Sequence, residues 1–406
     1  MHSSQAPSHD ELQRRFSEAC LLHQQGSLSE AKSIYIELFE LTQSPLLLYN
    51  LGLIHHEEGS LAIALQCFET AAEAMPEDPD CLFNLALCLK ACDRLEDSVT
   101  IYNKVVSLDS ENSDAVYNLA SVYRELKDYE QAISCYLRVL ERVPDHISAV
   151  NNLAYVYQLA GDTEQAAQTY QRLLELDPEH EAAQHMLSAI TGTTPDSSPD
   201  SYVREVFDNY SERYEQSLTQ ELQYNVPEKL RHMFESLPDT PAGFQHGFDL
   251  GCGTGLGAQP FVDIVQAFDG VDLSQKMIDI AASKEIYSTL FTNNICEALR
   301  ATSTIYDFLL AADVFGYIGD LNELFMQAGT CCSPNCYFLF STETTEKGNY
   351  TLRPTGRFAH SIDYICTVSK QHGWQLCHTQ KTNLRMDKGE WVTGNLWILK
   401  KSAASD

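Results

Sequence analysis

Basic side chains are scarce in this sequence: 27 lysines and arginines stand against 57 aspartates and glutamates in 406 residues, a formal net charge of −30. A surface that acidic repels phosphate backbones, which argues against nucleic acid as a partner and for basic peptides or small molecules. The same charge also serves plain solubility. Long hydrophobic runs are missing too, and no stretch approaches the roughly 20 apolar residues that span a bilayer. The opening "MHSSQAPSHDELQRR" has no apolar signal core, so the expectation is a cytoplasmic protein without a membrane partner. Among the 13 cysteines there is no CxxC pair, so neither a disulfide framework nor a metal site is expected. Cys81, Cys88 and Cys92 fall on helical sequence, and Cys331, Cys332 and Cys336 flank an apolar strand, where a thiol behaves as a small buried apolar group.

What is present is organised in two ways. The length predicts two or three domains, and 44% hydrophobic with 21% charged residues is a globular composition. The acid is uneven: 30 acidic residues face 11 basic ones over 1–190. Between 45 and 180 the chain repeats with a period of 34, from "YNLGLIHHEEGSLAIALQCFETAAEAMP" to "NNLAYVYQLAGDTEQAAQTYQRLLELDP". Leu51, Leu85, Leu119 and Leu153 share one phase, followed by small Gly52, Ala86, Ala120 and Ala154. Ala64, Ser98, Ala132 and Ala166 mark a second helix, and Phe68, Tyr102, Tyr136 and Tyr170 close each unit.

This pattern resembles the tetratricopeptide repeat, whose paired helices need a small residue where they cross and a large one beside it. "QQGSLSEAKSIYIELF" is a weaker first copy, giving about five repeats over 12–180, and "EHEAAQHMLSAI" is expected as the polar-faced cap that ends a solenoid, closing the array at 190. Asn50, Asn84, Asn118 and Asn152 recur at the same spacing on the first helix of each unit. They are expected either as an amide ladder for an extended peptide or as residues that bond their own neighbours.

The stretch "TGTTPDSSPDSY", 191–202, lacks apolar periodicity and is expected to be a linker. Beyond it, over 203–406, a helical stretch with many aromatics gives way to apolar runs at 246–250, 268–273, 306–315 and 336–342 separated by helical intervals. Such alternation predicts βαβ units and a parallel sheet. "FDLGCGTGLGAQPF" then places a glycine loop at the carboxyl end of a first strand, where doubly wound sheets bind ligands. A dinucleotide fingerprint read from Gly251 meets Leu256 at its sixth position, and the register Gly253, Gly255, Ala258 begins late after the strand.

Asp249, Gly251, Gly253 and Gly255 instead resemble the first motif of class I S-adenosylmethionine-dependent methyltransferases. "GVDLSQKMIDIA" and "YDFLLAADVFGYIGDL" resemble that family's next motifs, and the whole chain resembles a bacterial family of methyltransferases fused to tetratricopeptide repeats. The resemblance implies a Rossmann-like domain with a mostly parallel seven-stranded sheet, ending in a hairpin within "WQLCHTQKTNLRMDKGEWVTGNLWILKK". It implies S-adenosylmethionine as cofactor, with contacts from Asp249, Gly251, Gly253, Gly255, Asp272 at the ribose, Leu273, Met277, Ile295 and Asp313. Where the family has an acid for the adenine amino group stands Asn294, whose amide oxygen is expected to accept that bond.

Methyl transfer needs alignment and exclusion of water, and a base only for some acceptors. Tyr210, Arg213, Tyr214, Glu343, Arg357, His360 and Tyr364 are expected at the rim. Of these, His360 is the candidate base, Arg357 a holder for an anionic acceptor, and Tyr210 a third catalytic group. In the alternative, His360 caps the helix starting near Ser361 and the tyrosines only pack a lid. The expected function is methyl transfer, to a protein or a small molecule, with the repeats binding partner or substrate. A cofactor-binding scaffold that catalyses nothing and a nicotinamide reductase are the remaining readings.

Overall fold

The computed structural model describes residues 7–211, 214–387 and 389–402, and the chain divides into two compact units, Met1–Pro178 and Glu179–Asp406. The first is five helical hairpins: α1 (His9–Gln24) with α2 (Leu28–Thr42), α3 (Pro45–Glu57) with α4 (Leu61–Ala74), α5 (Pro79–Ala91) with α6 (Leu95–Leu108), α7 (Ser113–Glu125) with α8 (Tyr129–Arg142), and α9 (Ile147–Ala160) with α10 (Thr163–Leu176). Capping sets the period: Asp78, Asp128 and Asp162 each accept the backbone N–H three residues on, and Pro45 and Pro79 open their helices. Close crossing sets the composition. A Cβ on Gly52 would stand 2.7 Å from the Phe68 ring, and the Ser98 hydroxyl donates to the Ala86 carbonyl at 2.7 Å. Phe68, Tyr102, Tyr136 and Tyr170 are all buried, each ring contributing roughly 1.5–3 kcal/mol.

In the second unit α11 (Glu181–Thr191), α12 (Asp200–Tyr210), the short α13 (Tyr214–Gln216), a π-helical turn (Ser217–Glu221) and α14 (Val226–Glu235) precede the sheet. Its strands are β1 (Phe244–Leu250), β2 (Val265–Asp272), β3 (Tyr287–Thr292), β4 (Tyr306–Ala311) and β5 (Cys332–Glu343); a small ribbon of β6 (Tyr350–Leu352) and β7 (Phe358–His360) follows, then β8 (Trp374–Asp387) and β9 (Glu390–Lys401). Helices α15 (Gln275–Ser283), α16 (Ile295–Ala301), α17 (Asn322–Thr330) and α18 (Ile362–Gln371) lie between strands. The order β3-β2-β1-β4-β5-β9-β8 is parallel through β5 and antiparallel for the closing hairpin, the mostly parallel seven-stranded sheet that the motifs implied. Alternation along β5 serves both faces: Phe338 and Phe340 enter one core with Trp374 and Trp397, while Tyr337 and Leu339 enter the other with Phe244 and Phe308. The order reverses between β1 and β4, which opens a crevice at their carboxyl ends. Among the described residues no helix is long and apolar enough to cross a membrane.

Two expectations about boundaries change. Helix α11, expected as the solenoid cap, belongs to the second unit: buried His185 donates from Nε2 to the Gly356 carbonyl at 2.9 Å, and Ala189 packs with Leu352 and Phe358. The 191–202 stretch is tied down rather than free. The Asp196 carbonyl accepts the N–H groups of Gly319 and Asp320 at 2.9 and 2.7 Å, and the Ser198 N–H donates to Tyr317 O at 3.0 Å. Its order comes from backbone partners more than a hundred residues away, for which apolar periodicity carries no signal.

Candidate functional site

Strand β1 delivers the glycine loop to the crevice. Gly251 has φ 74°, and a Cβ there would stand 2.7 Å from Val314 Cγ2, so both conformation and space require glycine. The Gly253 N–H donates to Asp272 Oδ2 and the Ser274 N–H to Oδ1, each at 2.9 Å, so the carboxylate at the end of β2 ties the loop to α15. One accepted bond on each oxygen leaves further lone pairs for a ligand. Asp249 lies beneath the loop, 1% exposed, with the Tyr287 hydroxyl donating to Oδ2 at 2.8 Å. Burial pushes its carboxyl up to about 7, opposed by that hydrogen bond and aided by the nearby Asp272 charge.

Above the loop is a cavity of about 380 Å³. Gly251, Gly253, Asp272, Leu273, Asn294, Ile295 and Asp313 all line it, so seven of the ten expected cofactor contacts converge. Asp249 reaches only a small adjoining void under the loop, Gly255 lines neither space, and Met277 is fully buried in the core of α15. The far wall comes from α12 and α13, which contribute Val203, Phe207 and Tyr214, with Tyr317 opposite; Phe207 meets Tyr214 and Tyr317 edge-on at 5.9 and 5.4 Å. Six acidic residues line the space, Asp196, Asp200, Asp272, Asp313, Asp320 and Glu323, of which Asp313 is paired with Arg357 and Arg385 and Glu323 with Arg300. Among the described residues no lysine, arginine or histidine lines it. Such a lining favours a cation and repels an anion.

The three expected catalytic residues are placed otherwise. His360 is 1% exposed and absent from the lining; its Nε2–H lies 3.0 Å from the carbonyls of both Ile318 and Gly319, and burial lowers its pKa to about 4. It is a neutral clamp on the 318–319 turn, while Ser361, not His360, caps α18. Arg357 is spent on protein partners: Nη2 donates to Asp313 Oδ1 at 2.7 Å, Nε to Glu343 Oε1 at 2.8 Å, and the guanidinium lies 4.7 Å from the Tyr317 ring centroid. Arg385 bonds the same two acids and Arg353 joins at Glu343. Burial alone would raise the Glu343 carboxyl, but Arg357 and Arg385 outweigh it and hold it at about 2. Tyr210 is 40% exposed, off the lining, and pairs its hydroxyl with Ser217. Arg213 lies outside the described residues.

Asn294 is at the site with its amide reversed from expectation. The oxygen caps α16 by accepting the Cys296 N–H at 2.9 Å, and the nitrogen donates to both Asp200 oxygens. Asp200 and Arg385 were not among the expected residues. The spacing of Asp200, Val203 and Phe207 at i, i+3 and i+7 was the available signal for the first; nothing local marks the second.

The asparagine series lies on α3, α5, α7 and α9 with its amide nitrogens engaged. Asn50 and Asn118 donate to the carbonyls four residues back, Asn84 to Asp80 O and the Tyr49 hydroxyl, and Asn152 to the Tyr117 hydroxyl. Bonding of neighbours is therefore present at all four positions.

Residues 46–78, 79–112 and 112–179 match the tetratricopeptide repeat, and 210–384 match a methyltransferase domain. No curated protein matches. Solved structures with similar parts include YrrB, a tetratricopeptide repeat protein with an unusual peptide-binding site, at 22% identity over 42% of this chain and 89% of that one, TM-score 0.40. A repeat protein from Parabacteroides merdae is 18% identical over 55% and 91%, TM-score 0.43. The N-methyltransferase NodS from Bradyrhizobium japonicum, in complex with S-adenosyl-L-homocysteine, is 12% identical over 50% and 99%, TM-score 0.41.

Proposed function

The chain is a tetratricopeptide-repeat protein carrying a methyltransferase domain, and from that premise we propose that it transfers the methyl group of S-adenosylmethionine to a neutral or cationic acceptor, with the repeats holding a protein partner or substrate. The observation that carries the proposal is the cavity at the ends of β1, β2 and β4, lined by six acidic residues and opened by glycines of positive φ. The residues suit this cofactor: a sulfonium is a cation, and the bare backbone at Gly251 and Gly253 admits close approach. Bound S-adenosylmethionine supplies an electrophilic methyl group on sulfur.

The protein's part is to bind, orient and exclude water. Asp272 has lone pairs left for both ribose hydroxyls; Leu273 and Ile295 offer aliphatic walls to the base; Phe207, Tyr214 and Tyr317 present ring faces to positive charge and close off solvent. Asp313 stands at the cavity wall with its charge already met at Oδ1 by Arg357 and Arg385, so it offers a ligand hydrogen-bond acceptors rather than a free negative charge. An anionic acceptor has no free cation to meet it among the described lining residues.

For the repeats, 30 acidic against 11 basic residues over 1–190 suit a basic polypeptide. Such a protein fits the cytoplasm. A second reading, a scaffold that binds cofactor without turnover, is favoured by the withdrawal of His360, Arg357 and Tyr210 from the cavity. Incubating the full chain with lysate and S-adenosylmethionine labelled in its methyl group decides between them. Label in an acceptor supports transfer; saturable cofactor binding without any labelled acceptor supports the scaffold.

A further inference from the structure

Val203, Leu273 and Ile295 are aliphatic parts of the cavity lining, which Asn294 and Asp200 share. Arg204 Nε donates to Leu273 O at 3.4 Å, which sets the α12 residues Asp200 and Val203 beside the end of β2. The Asn294 oxygen accepts the Cys296 N–H at 2.9 Å, and its nitrogen reaches both Asp200 oxygens at 3.0 and 3.1 Å. An amide bonded in that sense turns its oxygen into α16 and its donors toward Asp200. Each Asp200 oxygen keeps lone pairs beyond the bond from Asn294, so the acceptor with capacity left where the two side chains meet is the carboxylate. Its place is fixed at both ends of α12: the Ser198 N–H is held by Tyr317 O at 3.0 Å before the helix, and the Ser274 hydroxyl donates to Asp208 at 2.5 Å near its end.

An aliphatic slot with a carboxylate on its rim suits a flat heteroaromatic ring that carries an amino group. A carboxylate accepts an exocyclic N–H, whereas a ring carbonyl in the same place meets it lone pair to lone pair. We infer that Asp200, contributed by the helix preceding the sheet domain's core, selects the adenine base by accepting its amino N–H, and that Asn294 is a positioning residue that aims this carboxylate. The inference rests on the methyl-donor reading of the cavity.

Calorimetry with S-adenosylhomocysteine and S-inosylhomocysteine tests it, because the two differ at the one ring position concerned. The full chain should bind the inosine compound at least tenfold more weakly, the size of a lost hydrogen bond to a charged group. In Asp200→Asn, whose amide can turn either donor or acceptor to the ring, the preference should fall below about threefold. Asn294→Ala should weaken both ligands yet keep the preference, since the carboxylate remains. A preference that survives Asp200→Asn and disappears in Asn294→Ala would overturn the assignment. Equal binding of both compounds by the unaltered chain would also overturn it, with the cofactor reading intact; binding of neither would remove that reading as well. Asp200 is exposed on the first turn of α12, and an unchanged melting profile of Asp200→Asn separates lost recognition from lost folding.

Discussion

Replacing Asp249 by asparagine should stabilise the sheet unit, and by more as the pH rises. The carboxyl is 1% exposed and held up at about 7 by burial, against an ordinary value of 3.8. Between those two values the folded state keeps a proton that the unfolded state has released, so stability falls as pH increases through this window. A displacement of about three pH units is worth about 4 kcal/mol once both states are ionised. Asparagine has the same shape, can accept the Tyr287 hydroxyl through its amide oxygen, and does not titrate. The gap between variant and wild type should grow by about 1.4 kcal/mol per pH unit from pH 5 to 7 and level off above. All three tryptophans, Trp374, Trp391 and Trp397, lie in the second unit, so urea unfolding followed by tryptophan fluorescence reads that unit alone. A gap that stays constant from pH 5 to 8, or a variant less stable throughout, would refute the reasoning.

Glu343→Gln should cost about 3–5 kcal/mol by the same fluorescence assay, because it leaves Arg357 and Arg385 buried with less than their full counter-charge. In the wild type this carboxyl is held at about 2 against 4.5, so its stabilisation is complete above pH 4.5 and is lost as pH falls toward 2. His360→Gln keeps a side-chain N–H near the carbonyls of Ile318 and Gly319 and should leave methyl transfer within about threefold of wild type; a loss of a hundredfold or more would restore His360 as a base.

The repeat array was legible because every unit solves the same packing problem, a small residue such as Gly52 or Ala86 facing a ring such as Phe68 or Tyr102, and so leaves a period. The glycine loop was legible for a related reason: Gly251 and Gly253 have conformations that few other residues adopt. The carboxylate network was not. Arg357 lies 44 residues from Asp313 and Arg385 lies 72 from it; the sheet order β4-β5-β9-β8 gathers Asp313, Glu343 and Arg385 at one end, and Arg357 arrives from the separate β6–β7 ribbon. His360 and Arg357 have the side chains of a catalytic pair, and sequence alone does not show that the imidazole Nε2 is already taken by backbone carbonyls and the guanidinium by acids. Asn294 shows the same limit at finer scale, since the direction of its amide depends on Asp200 from another helix.

Isothermal calorimetry of the full chain with S-adenosylmethionine and, separately, with NAD tests the cofactor assignment most directly. S-adenosylmethionine should bind, and Asp272→Ala should weaken it at least tenfold, since a charge-assisted bond contributes roughly 1.5–3 kcal/mol. Binding of NAD alone, or S-adenosylmethionine binding that Asp272→Ala leaves unchanged, would contradict it.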